Sequence, residues 1–551
     1  KSGVEYFVSN KMSTWNDTNR FPHNNFIWRG IDGTEVYACV PPTHFITWNM
    51  PSQIQENWEA YIDKDSGGQT MNMFGYGDGG SGCTEEMIEL MHRFDKLSVM
   101  PKCTHMGGAG FLEKNLKDNP NLEIWDGELY LEMHRGTFTT KSDLKAANRR
   151  LEFKFRTAEM LGVLNGEDHT QEITALYKKF LVNQFHDILP GSHIHLVYED
   201  AMADYAEIET ALDALIGTGS KYFNTLNFKR DALTFVPNKK GTSTRKFEKG
   251  NWLFPNLPAL SGAHLRSTYF NGEWITVSGE KIETPYYSAK LNEDGSFASL
   301  YDKELCREWV SGDFNKVKIF ADCPGNYDAW DILPNYRDKE IAPEVSMPLS
   351  LLEKDGEAAS FAATLKTEKS TWTVIVRLFR RSRGIEVEHV VDWNEKHKLA
   401  KAEFQCNVLA RKALCDTSAG FIERDTHKNT SWQQARFEVC QHKWCDLSET
   451  GGGIAVINEN KYGVGFDQNL ISLSLLRSTI RPDVTSDMGH HNFCYLIVPH
   501  AGNAVAAQIN ALSLQYNVPL IRSDAQCSLP SFEPLYLQAL KYSEDGSMIV
   551  A

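Results

Sequence analysis

The sequence predicts a multi-domain α + β protein, and three of its features carry that prediction. The chain has 551 residues, more than one compact core normally holds; at roughly 100–200 residues per domain it has room for about three units. Apolar positions recur at helical spacing from Thr84 to about residue 218. Beyond that stretch the period falls from about 3.6 to 2, the alternation expected of strands.

The first part, residues 1–83, is dense in Asn, Asp, Gly, Pro and Trp and reads as long functional loops. From Thr84, Met87, Leu90, Met91 and Phe94 follow the i, i+3, i+4, i+7 pattern. A first long helix is expected from Ser142, read as its N-cap, with Leu144, Ala147, Leu151 and Phe155 on one face. A second is expected from Asp168, with Gln171 completing a capping box. Its apolar face is Ile173, Leu176, Tyr177, Phe180, Leu181 and Phe185, and it should break at Ile188-Leu189-Pro190-Gly191. A third, about Val197 to Leu215, stops before Gly217-Thr218-Gly219-Ser220. These helices predict a three-helix bundle over residues 84–218. In the last part, residues 219–551, Trp372–Leu378 and Ile385–Val391 alternate around Ser382-Arg383-Gly384, a hairpin pattern. Similar short strands recur to the end and predict a large antiparallel β region. The chain starts at Lys1 without a Met and stops at Ser547–Ala551, which reads as mid-strand. The expectation is a fragment cut at both ends.

Composition bounds the partners. A net charge of −15 disfavours nucleic acid or an anionic membrane as the main partner. No run of about 18 apolar residues predicts a membrane span. The eleven cysteines are scattered without a C-x-x-C pair, which argues against a zinc ribbon and for a reducing, cytoplasmic setting.

Several segments have the chemistry of a site. His186 and Asp187 lie beside the Pro-Gly break, where a side chain can be aimed into a cleft and the carboxylate can orient the imidazole. The same pair also fits a helix-terminal imidazolium or a His–Asp contact holding a turn. Asp78 sits in Gly75-Tyr76-Gly77-Asp78-Gly79-Gly80. Such a loop lets a substrate approach a carboxylate that could act as a general acid, or it is a plain Gly/Asp turn. Trp15-Asn16-Asp17, Trp48-Asn49 and Asn326-Tyr327-Asp328-Ala329-Trp330-Asp331 combine aromatic faces with amides and carboxylates. Sugar sites combine these groups, and so do ordinary cores. No H-E-x-x-H or G-x-S-x-G occurs, and no G-x-G-x-x-G opens a βαβ unit. A metal-dependent hydrolase using His186 with His193 and His195 stays open at this point, as does a sugar-binding protein without catalysis.

At these same segments the chain resembles glycoside hydrolase family 38, the α-mannosidases, and most of all its cytosolic/vacuolar and bacterial branch. The matching stretches are Lys11–Asp17, Phe21-Pro22-His23, Trp28–Gly33, the loop at Asp78, His134–Thr137, Asn148-Arg149, Gln184–Asp187 and Val197–Ala201. Tyr327–Asp331, Arg436–Val439, Ser474–Ser478 and His491–Phe493 continue the match in the family's order. The resemblance implies zinc-dependent retaining hydrolysis of terminal α-linked mannose in oligosaccharides. It also implies a fold in which residues 1–83 end an α/β catalytic domain and the β region is a galactose-mutarotase-like supersandwich. The family's zinc is held by a His-x-Asp pair, the nucleophilic Asp and a later His, and only that later His has a match here, His186. Asp78 falls at the acid/base position. Asp187, Lys11, Trp48, Asp328 and Asp331 fall among substrate-binding positions. The remaining zinc ligands and the nucleophile are expected upstream of Lys1, so the chain alone is expected to be inactive. Family members often form homodimers.

Overall fold

The computed structural model describes residues 3–66, 68–94, 96–237, 250–265, 272–527, 529, 532 and 535–551. The chain divides into two compact units: Lys1–His134 with Asn429–Arg436, and Arg135–Lys428 with Phe437–Ala551.

The first unit is built on a four-stranded mixed sheet, not on loops. Its strands are β1 (Tyr6–Val8), β2 (Asn25–Arg29), β3 (Glu35–Cys39) and β4 (Ile124–Asp126), in the order β1-β3-β2-β4. β2 and β3 form an antiparallel hairpin, while β1–β3 and β2–β4 are parallel. Alternation along β3 sends Ala38 to one face, packed with Met12, Phe21, Phe26 and Val40, and sends Tyr37 and Cys39 to the other, packed with Leu112. The unit also holds helices α1 (Lys11–Thr14), α2 (Pro51–Ala60), α3 (Glu85–Phe94) and α4 (Gly108–Asp118), of which α1 and α4 supply Met12 and Leu112 to the two faces. In α3 the helical period is realised: Met87, Met91 and Phe94 are buried. The segment Asn429–Arg436 joins this unit through specific contacts. Ser431 donates to the Asn19 side chain, Tyr130 donates to the Ala435 carbonyl, and Trp432 lies 6.5 Å from Trp125.

In the second unit α5 (Ser142–Asn165), α6 (Thr170–Val182) and α7 (His195–Ile216) form the expected bundle. Leu144, Ala147, Leu151, Phe155, Ile173, Phe180, Tyr205, Ile208 and Leu212 are all buried in one core. The caps differ from expectation. Lys141, with φ 60°, is the N-cap of α5, and Ser142 is already helical. The N–H groups of Lys141 and Ser142, buried at the start of the helix, donate to the Asp487 carboxylate at 2.7 Å each, a cap supplied from the distant β region. The capping box at Asp168 does not form: the N-cap of α6 is His169, and Asp168 instead accepts from the Thr170 N–H at 2.9 Å. α6 ends at Val182, short of Phe185, because Asn183 and Gln184 turn inward to hydrogen-bond α7 and α5. Leu181 and Phe185 are left 60% and 54% exposed.

Glu209 ties α7 to α5. It accepts from Arg150 Nε and a second guanidinium nitrogen at 2.7 and 2.9 Å, and from Lys154 at 3.0 Å. Burial alone would raise its carboxyl, but Arg150 and Lys154 hold it at about 2, below the ordinary 4.5. A carboxylate depressed by folding adds stability above its unfolded pKa and loses it as the pH falls through the folded value. Lowering the pH from 5 to 2 is therefore expected to loosen the bundle. Glu209→Gln should remove about 1 kcal/mol of that pH-dependent part, a figure discounted for solvent screening. Equal acid sensitivity of wild type and variant, followed by circular dichroism, would overturn this.

The rest of the unit is antiparallel β. A nine-stranded sheet runs in the order Glu344–Lys354, Ala358–Lys366, Thr371–Phe379, Ile385–Trp393, Gly489–His500, Gly452–Asn458, Trp444–Glu449, Lys412–Thr417, Gly420–Asp425. It contains the expected hairpin, with Trp372 opposite Val391 and Arg377 opposite Glu386. A six-stranded sheet includes Val310–Ala321, Lys398–Cys406, Leu470–Ser478 and Gly463–Asp467. The last residues form a short strand, Ile549–Val550, paired with Lys541–Tyr542. Among the described residues no helix is long and apolar enough to cross a membrane.

Candidate functional site

The sequence-selected residues fall in both units: Lys11, Trp48 and Asp78 in the first, His186, Asp187, Asp328 and Asp331 in the second.

In the first unit Lys11 opens α1 and lays its ammonium 4.6 Å from the Trp15 ring and 5.9 Å from that of Phe45. Aromatic faces attract a cation through their quadrupole. Trp15 also lies beside His44 and His134, at 6.4 and 5.8 Å. Asp78 is exposed at the centre of a 3₁₀ turn, Gly77–Gly79. The turn packs on the same aromatic group: a Cβ at Gly77 would sit 2.3 Å from Ile46 and 2.7 Å from Phe45, and its φ is 51°. Only glycine meets both conditions. Just before the turn, Gly75 donates to the Thr47 carbonyl at 2.9 Å, next to Trp48, which is 42% exposed. Lys11, Trp48 and the Asp78 turn thus share one neighbourhood around Phe45 and Thr47.

In the second unit the segment Asn183-Gln184-Phe185-His186-Asp187 follows α6. Its first two residues point inward: Asn183 donates to Asp204 at 3.2 Å and Gln184 to Asn148 at 2.6 Å. The next residues point outward. The His186 side chain is 77% exposed, with Nε2 3.4 Å from the Asp187 carboxylate and its ring 4.1 Å from that of Phe185. Asp187 is held in turn by the buried Ser192 hydroxyl, which donates to it at 2.9 Å. Ser192 thus steadies the Asp187 carboxylate within charge-pair reach of the imidazole.

Sequence reasoning missed the residue beneath this turn. Lys145 of α5 is 5% exposed and donates to the carbonyls of Thr140, Leu189 and Pro190 at 2.5, 2.9 and 3.1 Å. The signal was present as a lysine next to Leu144 in a helical stretch that also carries Asn148 and Arg149. Polar residues on an otherwise apolar face have interior partners.

Asp328 is 2% exposed, and one carboxylate oxygen accepts from Ile480 N–H, Arg481 N–H and His397 at 2.7, 3.2 and 3.1 Å. Asp331 faces Arg135 at 3.9 Å. Their segment is pinned by Gly136 N–H to the Trp330 carbonyl and by the Thr140 hydroxyl to that of Ala329. Tyr327, 41% exposed, is its outward aromatic.

His193 and His195 do not join His186. His193 is buried, with Nδ1 3.0 Å from the Ile194 carbonyl, and burial lowers its pKa. His195 faces Asp483 at 3.1 Å. Among the described residues no group of three or more His, Cys, Asp or Glu side chains is placed to hold a metal ion. Zinc normally takes four ligands, so the donors present do not fit a complete zinc centre. His186 offers one exposed imidazole.

Comparison with known proteins agrees with this architecture. The N-terminal domain model of glycosyl hydrolases family 38 matches residues 1–128, the α-mannosidase middle-domain model residues 132–222 and the family 38 C-terminal domain model residues 282–485. Alpha-mannosidase 2C1 of Homo sapiens is 30% identical over 574 residues, covering 96% of this chain and 53% of its own length. Alpha-mannosidase G of Dictyostelium discoideum is 30% identical over 646 residues, covering 100% and 58%. The chain spans about half the length of these curated relatives. The crystal structure of an α-mannosidase from Enterococcus faecalis shares the fold, with a TM-score of 0.77 at 12% identity over 99% of this chain and 78% of that one. With the family's N-terminal, middle and C-terminal models matched in order along it, this chain belongs to glycosyl hydrolase family 38, the α-mannosidases.

Proposed function

We propose that the chain forms part of a cytoplasmic, zinc-dependent, retaining α-mannosidase that removes terminal α-linked mannose from oligosaccharides. The observation that carries the reading is the outward imidazole of His186, paired with Asp187 at 3.4 Å on a turn tied down at both ends. In this reading His186 is one zinc ligand, and the other donors and the nucleophile come from residues outside this chain. A retaining glycosidase uses two carboxylates about 5–5.5 Å apart. The one this chain supplies is Asp78, which gives a proton to the glycosidic oxygen and later takes one from water. Trp48 offers a flat apolar face to the sugar, and Lys11 places positive charge beside the nucleophile. Asp187 accepts from sugar hydroxyls. Asp328 and Asp331 act on the site by holding the Tyr327–Asp331 segment.

The purified 551-residue chain is expected to show no turnover of an aryl α-mannoside. The product read from the gene's own start codon is expected to hydrolyse it, and His186→Ala to reduce that activity at least about 100-fold with loss of bound zinc. Turnover by the chain alone would sink the claim that the nucleophile lies elsewhere. An inactive product from the gene's own start codon would favour a sugar-binding protein without catalysis.

A further inference from the structure

We propose that Lys145 is the positioning residue of this site: its buried ammonium gathers the carbonyls of Thr140, Leu189 and Pro190 and so fixes the turn that presents His186 and Asp187. The functional half of the proposal rests on the reading of His186 and Asp187 given above. The structural half stands on geometry alone.

The turn from Asn183 to Ser192 must leave α6, expose two side chains and return to the bundle. Its entry is anchored by Asn183 and Gln184 on Asp204 and Asn148. Its exit runs close under the start of α5: Gly191 has φ 87°, and a Cβ there would lie 2.6 Å from the Thr140 carbonyl oxygen. That approach brings the carbonyls of Thr140, Leu189 and Pro190 to one buried point, where each needs a donor. An ammonium has three N–H bonds and no acceptor, and Lys145 directs its bonds to these three oxygens at 2.5–3.1 Å. A single donor group thereby links the first turn of α5 to the exit of the His186 turn. Phe185, His186 and Asp187 span the interval between the two anchors, so loosening the exit frees their orientation.

Burial pushes the Lys145 pKa down to about 7 against the pull of Asp487 and Asp143. Methionine has a similar length and no N–H, so Lys145→Met removes the donors to all three carbonyls.

The test is hydrogen exchange on the 551-residue chain. Two amides report on the turn: Ile188 N–H, bonded to the Phe185 carbonyl, and Gly191 N–H, bonded to that of Ile188, both at 2.9 Å. In Lys145→Met these are expected to exchange at least about 10-fold faster, while amides in the middle of α5 and α7 keep wild-type protection. Lys145→Gln, which keeps two N–H donors, should fall between, and it carries the test alone if the methionine variant does not fold. In the product from the gene's own start codon, Lys145→Met should lower kcat for an aryl α-mannoside about 10-fold with KM changed less than about 2-fold, as expected of lost orientation. Wild-type protection of the turn in a folded variant overturns the proposal. So does faster exchange with unchanged kcat. Full activity of His186→Ala would sink the functional reading of the site and leave the exchange result standing.

Discussion

Lys401→Met is expected to destabilise the β-rich unit by about 3–5 kcal/mol, because it removes a cation that balances a buried carboxylate. Lys401 and Glu438 are both 0% exposed and lie 2.5 Å apart. Lys401 also donates to the Ser474 hydroxyl at 2.8 Å, and Ser474 donates back to Glu438. The three residues come from different strands or their flanks, with Lys401 directly opposite Ser474 in the sheet register. A hydrogen-bonded buried pair of this kind nearly balances its own desolvation, so its presence adds little. Removing one partner is what costs, since the charge that remains is kept from water. The double variant Lys401→Met, Glu438→Leu should therefore recover much of the loss. Urea midpoints followed by tryptophan fluorescence test this. Single variants within about 1 kcal/mol of wild type, or a double variant as weak as the sum of the singles, would contradict it.

Asp78→Asn is expected to lower kcat of the product from the gene's own start codon by about 10²–10⁴-fold on a mannoside with a poor leaving group. An aryl mannoside with a good leaving group needs little protonation of its departing oxygen, so its glycosylation step should suffer far less. That contrast separates an acid/base from a binding residue, which would weaken both substrates alike. An equal loss on the two substrates would remove Asp78 from the acid/base role. Gly77→Ala offers a neighbouring check. It leaves the carboxylate in place but must push a Cβ into Ile46 and Phe45 from a φ of 51°. It should lower activity by displacing the turn that carries Asp78.

Much of the helical part was legible because packing and pattern agree. Leu144, Ala147, Leu151 and Phe155 form an apolar stripe that the bundle buries. The end of α6 was not legible, since Leu181 and Phe185 extend the stripe in composition while the structure leaves them exposed. What ends the helix is the inward pull of Asn183 and Gln184, a tertiary effect that no local pattern records. The sheet of the first unit was missed for a related reason. Its strands are three to five residues long, and two of its pairings are parallel between distant segments. Those two pairings leave no hairpin signature; the β2–β3 hairpin around Asp32-Gly33 does leave one and was overlooked among the loop residues. The site was legible as residue types at the right positions. Orientation was not: Asp328 and His186 are both polar residues in aromatic-rich segments, yet one carboxylate is sealed around backbone N–H groups and the other side chain faces solvent.

The first unit is not contiguous in the chain, and this bears on how it is made. Its last piece, Asn429–Arg436, follows His134 by about 295 residues. At about 5–20 residues per second, a ribosome delivers that piece about 15–60 s after His134. During that interval Trp125 lacks Trp432, and the Asn19 side chain lacks the Ser431 hydroxyl. All four strands of the sheet are thus made before the segment that completes the unit. A nascent chain halted before Asn429 leaves part of its aromatic surface open to chaperones and proteases, and the order of synthesis becomes a determinant of yield that the finished fold conceals.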